Sequence, residues 1–259
     1  MRASGLLFDL DNTLIPELPN YSAAFMAACG GIARDRGADV RILRDAVFAA
    51  ATDRWLESPV AEYCARLGIG SPTSLLSDFP GDAAELGILR EWATGYRNAA
   101  WQDGLAAAGL ADGDALAPQL SQAFRQAFRS HCPAYIDVPR TLDLVAPGRA
   151  LAVVTNGIID VQRIKLAVSG LRRHFRVLIA SSEVGAGKPD PRLFEAALAS
   201  LGLPPDEVIV IGDSPEKDLA GAKAAGLRRI WLDRAGATGG AVEAEATIRS
   251  LTELPALLS

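Results

Sequence analysis

Lysine is scarce in this chain of 259 residues. Of 26 basic residues only four are lysines, Lys165, Lys188, Lys217 and Lys223. The rest are arginine, so a lysine is kept here against the compositional trend. Cysteine is also rare. Cys29, Cys64 and Cys132 are odd in number, widely spaced and never paired as C-x-x-C. That spacing excludes a disulfide framework and a zinc-ribbon site and predicts buried thiols. The two histidines, His131 and His174, have no metal-ligand neighbours in sequence, so they read as structural or exposed. No run of apolar residues reaches the length of a membrane span, and the first apolar run is too short for a secretory signal. Excess basic charge is missing too. The formal net charge is −5, which argues against a nucleic-acid partner. A cytoplasmic protein with no membrane and no nucleic-acid partner is expected, as a monomer or homodimer.

What is present is apolar and patterned. Hydrophobic residues make up 49% of the chain, enough for a sizeable core. Five short apolar runs read as buried strands: Gly5–Leu10, Ala150–Thr155, Val177–Ala180, Val208–Gly212 and Arg229–Leu232. Helical patterns at Ile158–Val168, Pro191–Leu201 and Pro215–Ala225 separate the later runs. Asp190 and Ser214 stand as caps ahead of the prolines, and Gly226 is a stop. Alternating strand and helix predicts a parallel sheet with right-handed crossovers. A short strand and helix over Thr247–Leu258 follow a Gly/Ala-rich surface loop, Arg234–Ala246.

Between the first and second runs the pattern changes. From about Pro16 to Tyr135 no strand signal stands out. Helical periodicity is visible in Tyr21–Arg36, Val40–Trp55 and Leu116–Ser130, with breaks at Gly68–Pro72, Phe79–Asp82 and Ala111–Asp114. A helical insertion after the first strand is the simplest account. Its aromatics Trp55, Trp92, Tyr96 and Trp101 read as core. Trp92, Tyr96 and Arg97 also share helical spacing and could present one aromatic–basic face. Arg54, Arg97 and Arg129 are candidates to meet a second anionic group.

Open parallel sheets bind ligands beyond the carboxyl ends of their strands. There the first run delivers Asp9 and Asp11, and the second delivers Thr155, Asn156 and Gly157. The loop Gly185–Pro189, with Lys188, follows the third, and Asp213, Ser214 and Asp218 follow the fourth. Converging carboxylates repel one another unless a cation compensates, and an all-oxygen donor set suits Mg²⁺. Lys188, the Thr155 hydroxyl and backbone N–H groups around Asn156 and Gly157 suit an anion. Metal, cation and donors together describe a phosphoryl site, in which a carboxylate can be the nucleophile. The Gly185–Lys188 loop is not a Walker loop, because Ser182 stands where its first glycine belongs and Pro189 replaces the Ser/Thr.

The ordered series DLDNT, VVTNG, GKPDPRLF and GDSPEKD resembles the haloacid dehalogenase superfamily. The resemblance implies a Rossmann-like, doubly wound parallel α/β sheet with an all-helical cap domain inserted after the first strand. The core would be residues 1–15 and 136–259, and the cap 16–135. It implies Mg²⁺-dependent hydrolysis of a small-molecule phosphate monoester, with Asp9 as nucleophile and aspartyl-phosphate, and Asp11 as general acid and base. Thr155, Asn156 and Lys188 would hold the phosphoryl group. Asp9, Asp213 and the Asp11 backbone carbonyl would bind the metal, and Asp218 would order water near it or Lys188. The substrate classes implied are nucleotides, flavin mononucleotide and sugar phosphates.

Rival chemistries can be weighed against the residues. A haloalkanoate dehalogenase needs no acid at Asp11, because halide leaves unprotonated. A phosphonoacetaldehyde hydrolase would need a cap lysine, and none lies between Pro16 and Arg149. A sugar-phosphate mutase on the same core stays open, since it differs in how the cap excludes water. A non-catalytic metabolite-binding protein would be expected to have lost one of Asp9, Asp11, Lys188 or Asp213.

Overall fold

The computed structural model describes residues 1–110, 113–236 and 243–259. The chain divides into two compact units. One comprises Met1–Pro16 and Pro133–Ser259, and the other Glu17–Cys132.

The first unit is built on β1 (Gly5–Phe8). The helical unit follows, with α1 (Glu17–Asp35), α2 (Val40–Leu56), α3 (Ala61–Leu67), α4 (Ala84–Ala107) and α5 (Gly113–Ser130). The chain then returns through α6 (Val138–Val145), β2 (Ala150–Thr155), α7 (Ile159–Val168), β3 (Val177–Ala180), α8 (Ser181–Val184), α9 (Arg192–Leu201) and β4 (Val208–Gly212). It finishes with α10 (Ala220–Ala224), β5 (Arg228–Leu232), β6 (Ala246–Ile248) and α11 (Leu254–Leu258).

The six strands run parallel in the order β3-β2-β1-β4-β5-β6. This is the parallel sheet expected from the alternation of runs and helices, and it is doubly wound as the family resemblance implies. The chain leaves β1 to one side for β2 and β3, then crosses to the other for β4, β5 and β6. That reversal opens a crevice at the ends of the central strands. Register is set by burial on both faces: Leu7 pairs with Ala152 and Val210, and Phe8 with Val153 and Ile211. One face packs Leu7, Val154 and Val210 against Leu193, Phe194 and Ala197 of α9. On β1, Phe8 meets Phe175 edge to face at 6.0 Å.

Two details differ from the sequence expectation and matter for the site. The β1 ladder stops at Phe8 rather than Leu10. Leu10 belongs to a tight turn in which its carbonyl accepts from the Leu14 and Ile15 N–H groups. Asn12 in that turn has φ of 63°, a left-handed conformation that asparagine tolerates. The expected helix Pro215–Ala225 also begins as one wide turn, Pro215–Leu219, before α10 tightens.

In the helical unit α4 is one continuous helix of 24 residues. It packs closely on α2 at Gly104, where a Cβ would lie 2.5 Å from the Val47 Cα. Phe25 of α1 stacks on Trp101 of α4 at 5.3 Å. Tyr96 is 3% exposed and stacks on Trp92 at 4.7 Å, so it is core rather than a ligand platform. Gly68, with φ of 64°, ends α3 within the expected break. The break expected at Ala111–Asp114 lies partly outside the described residues, and so does most of the loop expected at Arg234–Ala246. Arg234 itself is no surface loop residue. Its guanidinium pairs with Asp137 at 3.0 and 3.1 Å, donates to the Thr13 carbonyl at 2.9 Å and lies 4.0 Å over the Tyr135 ring. No helix among the described residues is long and apolar enough to cross a membrane.

Candidate active site

The carboxyl ends of β1, β2 and β4 meet at Lys188. Its ammonium donates to Asp9 Oδ1 at 2.5 Å, to Asp218 Oδ1 at 2.6 Å and to the Val154 carbonyl at 3.1 Å. An ammonium has three protons, and these three acceptors take them all. Asp9, Lys188 and Asp218 are all buried. Burial raises the Asp9 carboxyl well above its usual range. Lys188 opposes that shift, and the neighbouring Asp218 and Asp213 add to it. For Lys188 burial acts in the other direction and lowers the pKa, but the Asp218 and Asp9 charges outweigh it and raise the pKa overall.

Local sequence explains each placement. Asp9 follows the last ladder residue of β1, and its N–H still bonds to the Ile211 carbonyl of β4 at 3.0 Å. The Asn12 turn brings the Thr13 hydroxyl to Asp213 Oδ1 at 3.1 Å. Gly212 ends β4 without a side chain because Asp218 lies there: a Cβ would sit 2.4 Å from the Asp218 Cβ and Cγ. The second oxygen of Asp218 accepts from the Ser214 N–H at 3.0 Å. Asp218 is therefore fully engaged, bracing Lys188 on one side and the β4 loop on the other.

Carboxylate oxygens of Asp9, Asp213 and Asp218 lie within 4.8 Å of one another. Asp213 is also shifted upward, by burial first and by the Asp218 charge second. Three carboxylates share one ammonium, so the cluster is short of positive charge. Its donors are all oxygen, which fits a hard divalent cation such as Mg²⁺. A cleft of about 520 Å³ opens at Asp213, bordered by Asn12, Tyr135, Trp231 and Arg234.

The remaining expected residues sit at the β2 end. Asn156 clamps the Lys188 backbone, its Oδ1 accepting from the Lys188 N–H at 2.7 Å and its Nδ2 donating to the Lys188 carbonyl at 3.2 Å. The Gly157 N–H does not face the crevice as an anion donor. It is taken by the Ser181 hydroxyl at 2.8 Å, while Ser182 takes the Ile159 N–H at 3.0 Å. The start of α7 is thus capped from α8. The Thr155 hydroxyl is buried, donates to the Asn156 carbonyl at 3.2 Å and accepts from Gln162 at 2.8 Å.

Asp11 stands apart from the other carboxylates. Its side chain meets Lys165 at 2.6 Å and Gln162 at 2.9 Å, both on α7. Sequence reasoning assigned neither residue a role. The available signal was compositional: in an arginine-rich chain, two of the four lysines lie buried at this crevice.

This crevice at the topological switch of a doubly wound sheet, lined by four acidic side chains and two lysines, defines a class of hydrolase. Over residues 3–226 the chain matches the family model of the haloacid dehalogenase-like hydrolases, and it belongs to that family of enzymes. It is 37% identical over 230 residues to the phosphoserine phosphatase of Thermus thermophilus, covering 88% of each chain. Among solved structures, YfnB from Bacillus subtilis aligns over the whole of both chains with a TM-score of 0.63 at 22% identity. A 2-haloacid dehalogenase from Pseudomonas syringae aligns over 99% of this chain and 98% of its own with a TM-score of 0.60 at 25% identity.

Proposed function

We propose that the protein is a Mg²⁺-dependent phosphatase of small phosphate monoesters that works through an aspartyl-phosphate on Asp9. The observation that carries this reading is the Asp9–Lys188–Asp218 arrangement beside Asp213, with a second carboxylate, Asp11, two residues from the first. A carboxylate nucleophile needs a fixed orientation and a counter-charge, and Lys188 supplies both. Asp9, Asp213 and the Asp11 backbone carbonyl would hold Mg²⁺, which when bound neutralises charge on the cluster and on the phosphoryl oxygens.

Asp9 attacks phosphorus, and the bond to the leaving oxygen breaks as Asp11 protonates that oxygen. Asp11 then takes a proton from the water that hydrolyses the intermediate. Lys188 steadies Asp9 throughout. It reaches a phosphoryl oxygen by exchanging its bond to the Val154 carbonyl, the longest of its three. Thr155 and the backbone at Asn156 complete the phosphoryl contacts, and Asp218 keeps Lys188 in place. We assign residues 16–135 as the cap domain and residues 1–15 and 136–259 as the core, with substrate selection resting in the cap. The substrate is a small phosphorylated metabolite. The phosphoserine phosphatase relative adds a phosphorylated amino acid to the nucleotide, flavin mononucleotide and sugar-phosphate classes. The buried thiols of Cys29, Cys64 and Cys132 accord with a reducing, cytoplasmic setting.

The test is phosphate release from an ester panel, with p-nitrophenyl phosphate included, in Mg²⁺ and in EDTA, beside Asp9→Asn. Metal-dependent release that vanishes in the variant supports the reading. Halide release from a 2-haloalkanoate without phosphatase activity would replace it with a dehalogenase.

A further inference from the structure

Helix α7 lays two polar side chains against the crevice that none of the roles above uses. Lys165 and Gln162 are three residues apart, so they share one helix face. Each is 1% exposed. Lys165 Nζ donates to Asp11 Oδ1 at 2.6 Å, and Gln162 Nε2 donates to Asp11 Oδ2 at 2.9 Å. Both oxygens of Asp11 are thereby gripped from one element. The same Gln162 nitrogen reaches the Thr155 hydroxyl and the Asn156 carbonyl, each at 2.8 Å. Its own carbonyl oxygen, Oε1, is buried with no hydrogen-bond partner. The amide is therefore oriented by the acceptors at Asp11 and Thr155. Gly157 makes room for it: a Cβ there, at φ of 121°, would lie 3.2 Å from the Gln162 nitrogen. Burying an amine and leaving an amide oxygen unmet are both unfavourable. The buried surface of a helix is ordinarily filled by apolar residues, such as Val161 and Leu166 of α7.

We propose that Lys165 and Gln162 are positioning residues for Asp11, holding its carboxylate in one orientation for the step in which it accepts a proton from water. The proposal rests on the phosphatase reading. In that step the water oxygen bonds to phosphorus and the phosphorus–Asp9 bond breaks. Its electron pair returns to the Asp9 carboxylate, the water proton passes to Asp11, and inorganic phosphate leaves. Gln162 ties the orientation of Asp11 to Thr155, so the proton acceptor and a phosphoryl contact are set by one side chain.

The test uses the full chain with Mg²⁺ and p-nitrophenyl phosphate, whose leaving group needs little protonation. Lys165→Met is expected to lower kcat by about 10- to 100-fold, and Gln162→Leu by less. Hydrolysis of the intermediate becomes the slow step, so Lys165→Met releases a burst of about one p-nitrophenol per site. In an Asp11→Asn background Lys165→Met changes kcat by less than about twofold, because its route of action is gone. Lys165→Gln, which keeps a donor, restores part of the rate. Wild-type kcat in Lys165→Met overturns the proposal. So does a loss of equal size in the Asp11→Asn background, which would mark a structural role. If wild type hydrolyses no ester, the phosphatase reading falls. The positioning claim is then decided by crystal structures of wild type and Lys165→Met: an Asp11 side chain that loses its single orientation supports it, and an unmoved one overturns it.

Discussion

The two units bury polar groups in opposite ways. In the α/β unit Asp9, Lys165, Lys188, Asp218 and Asp233 are all buried, and all but Asp233 belong to the crevice described here. In the helical unit the buried polar side chains among the described residues are neutral: Asn20, Ser58, Ser74, Ser77 and Ser121. Polar groups there make short local bonds amid aromatic rings. The Ser74 and Tyr96 hydroxyls meet at 2.7 Å, and the Trp55 indole N–H donates to the Ile69 carbonyl at 3.0 Å. Buried charge is unfavourable unless fully compensated, so it persists where chemistry requires it. One unit is organised around a charge problem, the other around packing.

The sharpest test of that division is Asp9→Asn. Phosphate release should fall by roughly 10⁴-fold or more, while circular dichroism shows an intact fold. The metal-free variant should also melt higher than wild type, by more as pH rises. In the fold the Asp9 pKa is raised, so its protonated form is favoured. The stability this group contributes is full below its unfolded pKa and is lost as pH rises through the raised value. The ionised form of the carboxyl therefore opposes folding, and asparagine removes that opposition. A lower melting temperature would break the comparison.

Lys188→Met should be the most damaging change to stability in the α/β unit. It leaves Asp9 and Asp218 without their counter-charge, at about 3–5 kcal/mol in chemical unfolding. Mg²⁺ should act in the opposite direction. Saturating metal is expected to raise the melting temperature by an amount equivalent to roughly 2–3 kcal/mol at 100 times its Kd. The gain should be larger at pH 8 than at pH 5, because the upward-shifted Asp9 and Asp213 ionise as pH rises. An equal gain at both pH values would move the binding site away from these carboxylates.

The helical unit should respond in stability and not in chemistry. Gly104→Ala forces a methyl against the Val47 backbone and should destabilise by about 1–3 kcal/mol. Tyr96→Phe removes the bonds to Ser74 and to the Ala51 carbonyl at 3.2 Å, at about 1 kcal/mol. In both, kcat measured below the melting transition should stay within about twofold of wild type. A tenfold loss of kcat in a fully folded Gly104→Ala protein would show that the packing unit also sets the chemistry.

The same contrast governs what could be read in the sequence. Buried parallel strands are apolar runs ending in polar residues, so the strands and the rim residues Asp9, Thr155, Lys188 and Asp213 were all visible. The end of β1 was not, because Leu10 is as apolar as the ladder residues before it and serves a turn instead. In the insertion α4 was obscured by Gly87, Gly95 and Gly104, which weaken a helical reading. Only the partner helix shows why Gly104 is there. Gln162 and Lys165 sit on a helix that was legible, but helix periodicity says nothing of which polar residue turns inward. Arg234 was hidden by the Gly/Ala-rich loop beside it, and its role depends on Asp137 and Tyr135, about 100 residues away in the chain.

The strand order also sets a timetable for synthesis. Asp9 is made near the start of the chain, and Asp213 follows about 200 residues later. At roughly 5–20 residues per second the interval is about 10–40 s. For about the first 140 residues of that interval β1 has neither neighbour in the sheet; β2 comes next, and β4 only at its end. The helical unit can be complete while Asp9 still lacks Asp213 and Asp218. On a ribosome, activity would therefore switch on late and in one step, once β4 is released, however early the rest of the chain has folded.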